Sequence, residues 1–410
     1  MINYLIYSAI IYVLLTILFF SNKNLFLIIT VFLQNTILLI SFKLGLEYAK
    51  ISNTIIPIYY IVLLFFNFKA VNKTYLFTIL FGIFAISLFI LFLVLYNDAD
   101  ERFLIDIVKH YFWGQFIFLG ILTFINEIEL KKVFYAIVVY LILILIVGLF
   151  QFITKSTIFY YTDLAQNTLV MTEFDRIVTG FYSGPNYFGA IIILLLGYIF
   201  TYSKNINYKY ELIIILSIAV VLTAGVRTAL VALLIQLILL YAAKNKIKFI
   251  KVFFVLLLVL STFGTTIYSL SYYYSTKKTE FEESFGRTLT SFYYISDSKA
   301  LENSTAGISL WVLDEVLKSP FTGTQNKLFW LIRYSYTDAF LMFHLVQFGI
   351  IGLFILFFPY FYFINKLKKE LITSFYILFF IQILIMITDQ GFFYFNINII
   401  FWIFLALSFQ

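Results

Sequence analysis

The sequence predicts an all-α, polytopic integral membrane protein of about 11–13 transmembrane helices, with one large outer loop of short helices. Three observations predict it. Apolar residues make up 63% of the 410 residues, against about 45–50% in a soluble globular chain. Charged residues are 12%, roughly half the usual share. Apolar runs of about 20 residues, the length that crosses a bilayer, recur between short polar breaks. So little polar surface cannot cover a soluble shape, and the apolar total suffices for about a dozen spans.

The elements follow in order. Run 2–20 is apolar throughout and lacks a basic leader and a small-residue cleavage site, so it reads as a retained span. Runs 25–42, 51–67, 75–96, 106–125 and 132–153 complete an N-terminal region, 1–153. Segment 154–185, ending in FYSGP, is too long and too polar for a tight turn and reads as a first outer loop. Runs 186–203, 210–224, 228–243 and 249–268 form a central region, 186–268. Segment 269–337 is the large loop, and runs 338–364, 371–388 and 394–409 form a C-terminal region, 338–410. Each run should be helical, because a backbone in lipid must satisfy its own hydrogen bonds. No internal repeat is visible.

Charge sets the orientation. Four spans separate the two polar segments, so both lie on one side. Lys131 and Lys132, Lys204 and Lys209, Lys244, Lys246, Lys248 and Lys251, and Lys366, Lys368 and Lys369 all fall on the other side. Lysine-rich short loops are cytoplasmic, so both long segments face outward. The 269–337 segment has seven basic and seven acidic residues; with the amphipathic LWVLDEVL (310–317) it reads as a neutral cap.

Composition removes several kinds of chemistry. There is no cysteine, which excludes disulfides, thiolate metal sites and a cysteine nucleophile. Two histidines, His110 and His344, do not make a multi-histidine metal centre. No metal site or cofactor is expected. Asp98, Asp100 and Glu101 form a small acidic cluster that reads as a solvated loop. The net charge of +7 reflects cytoplasmic lysines, and nucleic acid is not an expected partner.

The arginines depart from the lysine pattern. There are five, against 23 lysines, and all fall on the outer side: Arg102, Arg176, Arg227, Arg287 and Arg333. Arginine offers a planar fork that holds phosphate or carboxylate bidentately. Its retention where the topogenic rule disfavours it points to an anion. Arg102, in NDADERF, reads as an interfacial ion pair, and Arg287 and Arg333 read equally as ion pairs or as anion ligands. Arg176, in RIVTGFYSGPNYFGA, and Arg227, in LTAGVRTALVALL, stand at span starts beside small residues and are the principal anion candidates.

These segments resemble the O-antigen polymerase and ligase superfamily. RIVTGFYSGPNYFGA (176–190) is similar to its arginine–x–x–x–glycine–phenylalanine…proline–asparagine stretch, and TAGVRTALVALL (223–234) to its second arginine signature. SPFTGTQ (319–325) resembles the proline-and-glycine step of the large periplasmic loop, with Gln325 in place of the second glycine. TDAFLMFHLVQFGIIGL (337–353) resembles the motif that ends that loop. The match runs from 176 to 353 in order and spacing. Ligases carry histidine at the start of the last motif; this chain has Asp338, which favours the repeat-unit polymerase (Wzy-type) branch.

The resemblance implies a bacterial inner-membrane enzyme with its site facing the periplasm, joining undecaprenyl-pyrophosphate-linked oligosaccharides. A hydroxyl of one lipid-linked unit attacks the anomeric carbon of another, and lipid pyrophosphate leaves. Such chemistry needs charge stabilisation on the leaving group, a base for the hydroxyl and a groove open to membrane lipid. Arg176 and Arg227 fit the first need, with Arg287 and Arg333 as loop contributors. Asp338 fits the second; it reads equally as a helix N-cap, and one residue can do both. Asp389 is a second carboxylate on the same side. Asn186 reads as a cap or a sugar contact, and His344 as a core histidine or a substrate contact. The resemblance also admits a chain-length regulator as partner, for which no interface is legible. A lipid-linked oligosaccharide flippase, an O-antigen ligase and a secondary transporter are the alternatives.

Overall fold

The computed structural model describes residues 2–31, 48–97, 101–154, 178, 185–203, 208–224, 227–247, 251–252, 254–258, 261–262, 316–323, 340–386 and 395–410. Among them there is no strand. The longer helices are α1 (Ile2–Ser21), α2 (Tyr48–Phe66), α3 (Lys73–Asn97), α4 (Glu101–Leu122), α5 (Leu130–Thr154), α6 (Pro185–Tyr202), α7 (Tyr208–Thr223), α8 (Arg227–Lys244), α9 (Phe340–Ile364), α10 (Lys369–Met386) and α11 (Phe395–Leu407). Residues 23–31 and much of 251–262 are helical as well. Most of the expected apolar runs recur as helices with boundaries shifted by a few residues; runs 25–42 and 249–268 lie largely outside the described residues. Run 106–125, for example, corresponds to a helix that begins at Glu101 and stops at Leu122, where a turn leads into a short 3-10 helix, Ile125–Glu127.

Helices such as α3 and α5 are apolar on both faces, as suits a membrane protein. On α3, Phe77, Leu80, Phe81, Phe84, Leu88 and Leu91 point outward, and Ile79 and Ile86 point inward. On α5, Tyr135, Val139, Leu143, Ile146, Phe150 and Ile153 form the exposed stripe opposite buried Val133, Ile137, Tyr140, Leu141 and Ile144. Water would not tolerate such stripes; lipid does. Lys73–Phe92, Leu130–Thr154 and Lys369–Met386 are each long and apolar enough to cross a membrane, and shorter apolar helices accompany them.

Several helix ends meet at one end of the bundle, and that end collects the lysines. Lys23, just past α1, pairs with Glu127, just past α4. Lys244, at the end of α8, donates to the Ser203 carbonyl at the end of α6. Lys368, before α10, donates to the Gln410 carbonyl, past α11, at 3.1 Å. Gln410 in turn donates to the Ile128 carbonyl, before α5, at 3.1 Å. The N-termini of α6, α8, α9 and α11 therefore lie at the opposite end.

Two helices have no lipid face at all. Tyr187 to Phe200 on α6 are buried almost without interruption, enclosed by α5, α7, α8, α10 and α11. Ile397 to Leu407 on α11 are buried likewise, packed chiefly on α4. A helix apolar all round belongs in such a position. Gly114 of α4 makes this approach possible: a side chain there would collide with the Trp402 indole. Trp402 also packs edge-on or tilted against Phe118, Phe363 and Tyr360, with ring centroids 4.6 Å apart in the last case.

Buried polar side chains tie the helices together. Gln236 of α8 donates to the Ile193 carbonyl of α6 at 2.9 Å, and Gln382 of α10 to the Ala190 carbonyl at 3.4 Å. Tyr360 of α9 donates to Asn398 Oδ1 of α11 at 2.5 Å. In lipid, backbone carbonyls already engaged in a helix are the acceptors within reach of such donors.

Candidate functional site

The end opposite the lysines holds the helix starts that carry the sequence signatures. Pro185 opens α6, where its missing N–H costs nothing and its fixed φ suits the first turn. Asn186 follows it, half-buried. Arg227 is the first residue of α8. Small buried residues, Ala229 and Ala232, line the start of α8, which packs against α6. A helix N-terminus carries unpaired amides and a partial positive charge, so two adjacent starts present a face suited to an anion. Val178, two residues after Arg176, is buried.

The third signature-bearing helix differs from expectation. Run 338–364 reads as one span, but α9 is broken at Gly349, whose φ of 59° and ψ of −172° belong to a region that essentially only glycine occupies. The break frees the amides of Ile350 and Ile351. In an unbroken helix they would reach the carbonyls of Val346 and Gln347. They bond instead to the carbonyls of Pro320, at 2.9 Å, and Phe321, at 3.1 Å. Those two carbonyls come from SPFTGTQ. This segment is itself folded: the Ser319 amide meets the Val316 carbonyl at 3.2 Å, and the Gly323 amide the Ser319 carbonyl at 2.9 Å. Val316 is buried, while Leu317 and Phe321 are exposed. The Phe321 carbonyl and the Thr322 amide lie where a β-carbon on residue 349 would go. Two signatures far apart in the chain thus meet through backbone alone, roughly 13 Å along the helix from its first residue.

His344 lies between that break and the start of α9. It is fully buried, with Nε2 3.4 Å from the Tyr111 hydroxyl of α4. The Tyr111 and Phe348 rings pack beside it at 5.8 and 6.0 Å between centroids. This is the setting of a core histidine, one of the two readings open from sequence. Tyr111 was not among the expected site residues, and an aromatic inside an apolar run gives no signal by which to single it out.

Arg176, Arg287, Arg333, Asp338 and Asp389 lie outside the described residues, as do Asp98 and Asp100. Among the described residues no group of three or more histidine, cysteine or acidic side chains is placed to hold a metal. The site's described parts are two adjacent helix starts, a broken helix and the loop segment clamped to it. The helix starts can hold an anionic group, and the loop segment brings non-helical backbone against α9. Neither a protein-family model nor a curated protein matches the chain.

Proposed function

We propose that the chain is a repeat-unit polymerase of the O-antigen type: a bacterial inner-membrane glycosyltransferase of 11–13 spans, with its site and its large 269–337 loop facing the periplasm. Its substrates are undecaprenyl-pyrophosphate-linked oligosaccharides. A hydroxyl oxygen of the incoming unit forms a bond to the anomeric carbon of the growing chain. The bond from that carbon to pyrophosphate breaks, and lipid pyrophosphate leaves with the electron pair. Asp338 accepts the hydroxyl proton. Arg176 and Arg227 hold the leaving group's charge and, remaining protonated, transfer no proton. Arg287, Arg333 and Asn186 contact the substrate's anionic and sugar groups.

The observation that carries this reading is the clamp between SPFTGTQ and Gly349–Ile351. Irregular backbone at this depth is tolerated where it is enclosed by protein or lines a cavity. It joins a segment within the large loop to the helix that follows that loop. A broken helix is also how transporters build a midplane site, which keeps a lipid-linked oligosaccharide flippase as the second reading.

Surface polysaccharide from a deletion strain, complemented with wild type, Arg176→Ala, Arg227→Ala or Asp338→Asn at equal expression, separates the two. A polymerase deletion leaves single repeat units on the lipid core and no ladder. The three variants should reproduce that pattern. No surface repeat unit at all would favour a flippase or a ligase, and a normal ladder in the deletion would overturn the family reading.

A further inference from the structure

The lysine end contains a cavity of about 1030 Å³ between the ends of α6, α8 and α11 and the starts of α5 and α10. Lys244, Lys246, Lys368 and Lys369 line it, with Glu370 as the acidic residue among the described lining. The walls are layered. Phe200, Leu240 and Leu407 are apolar, and Ser203 and Ser408 bring buried hydroxyls to the same wall. The Tyr202 hydroxyl fixes Ser408 Oγ at 2.5 Å.

Two lysines are held in place by the wall itself. Lys244 donates to the Ser203 carbonyl and lies over the Phe200 ring, 5.5 Å from its centroid. Lys368 donates to the Gln410 carbonyl. An ammonium has three N–H donors, and one bond each leaves the others for a ligand. Lys246 adds an independent sign. Its φ of 52° makes it the positive-φ non-glycine residue among those described. It ends α8 in a Schellman turn, with Ile247 N–H on the Ala242 carbonyl at 2.9 Å and Lys246 N–H on the Ala243 carbonyl at 3.3 Å. Glycine is the favoured residue at that position. Lys246 takes that position and lines the cavity wall.

We infer that this cavity binds the phosphate-bearing headgroup of an anionic membrane phospholipid. Clustered lysines supply the charge, the start of α10 adds its partial positive charge, the Ser203 hydroxyl, which donates to the Phe200 carbonyl at 3.1 Å, accepts from a headgroup's own hydroxyl, and the apolar wall receives the first carbons of the lipid. Basic pockets between transmembrane helices recognise such headgroups. The inference needs only a membrane protein and is independent of the glycosyl-transfer reading.

The test uses the full-length protein in a neutral detergent, titrated with phosphatidylglycerol and followed by thermal unfolding. Parallel titrations use phosphatidylcholine and inorganic phosphate. Wild type should be stabilised by phosphatidylglycerol alone. The K244Q/K246Q/K369Q variant should bind on the order of 100-fold more weakly, about fivefold per lysine. K69Q/K73Q/K131Q removes equal charge at the same end, outside the cavity, and should bind as wild type does. Equal weakening in both triples, or equal stabilisation by phosphatidylcholine, overturns the site. Stabilisation by inorganic phosphate at matched concentration overturns the lipid in favour of a soluble phosphate compound. Should the cavity triple not fold, Lys246→Gly decides: it relieves the turn, so it should melt no lower than wild type without lipid yet bind about fivefold more weakly. Unchanged binding in that variant overturns the proposal.

Discussion

Across the break in α9, the Ile350 amide donates to the Pro320 carbonyl at 2.9 Å, and the next amide, Ile351, repeats the pattern with Phe321. Neither bond depends on a side chain. What admits them is the absence of one at residue 349. Gly349→Ala should therefore act twice, through an unfavourable φ worth about 1–2 kcal/mol and through collision of the new carbon with the Phe321 carbonyl. Thermal unfolding in detergent should show a loss of about 2–4 kcal/mol, and the polymer ladder should shorten or vanish. Wild-type stability in that variant would mean the break is incidental.

Gln236 offers a contrast. Its amide nitrogen bonds the Ile193 carbonyl, yet its oxygen has no hydrogen-bond partner among the described residues. An unpaired buried oxygen offsets much of what the bond contributes. Gln236→Met, which keeps the volume and removes both polar groups, should lie within about 1 kcal/mol of wild type. Gln236→Ala, which opens a cavity against α6, should cost about 2–4 kcal/mol. Denaturation of the two variants side by side gives the comparison; equal losses would show that the hydrogen bond, not the volume, holds α8 to α6.

Tyr111 separates the two readings of His344. Tyr111→Phe removes the hydroxyl 3.4 Å from Nε2 and keeps the ring contacts. For a core histidine the cost is about 1 kcal/mol of stability, with the ladder intact. Loss of the ladder in a normally folded Tyr111→Phe protein would assign His344 to the chemistry.

The arginines are tested best by lysine. Arg176→Lys and Arg227→Lys keep the charge and lose the planar fork. If the two hold pyrophosphate bidentately, each should lower polymerisation in vitro on the order of 10²-fold. Near-normal rates would reduce their role to charge alone.

How far the sequence revealed this arrangement depends on whether a feature was local. Span 186–203 was legible because Pro-Asn opens it and Lys204 follows it, and the helix is Pro185–Tyr202. The gathering of Lys244, Lys246, Lys368 and Lys369 at one end followed from counting spans. The break in α9 was not legible. Gly349 and Gly352 lie within TDAFLMFHLVQFGIIGL, but hydropathy gives no sign of a break in 338–364, and the carbonyls that complete the break come from another segment. Gln236 and Gln382 were equally silent, since their partners are backbone carbonyls, which every residue has. His344 was legible as polar within an apolar run, though its partner Tyr111 was not.

The pairing of Trp402 with Gly114 places a constraint on biogenesis. α4 emerges from the ribosome early, and the helix that fills its notch emerges much later. At typical synthesis rates of about 5–20 residues per second, the wait is roughly 15–60 s. In a bilayer, acyl chains would fill the groove beside α4 through that interval and be displaced as α11 arrives. α6, equally enclosed at the end, must likewise exchange acyl chains for protein neighbours one helix at a time. The order in which lipid leaves the interior is therefore written into the order of the helices along the chain.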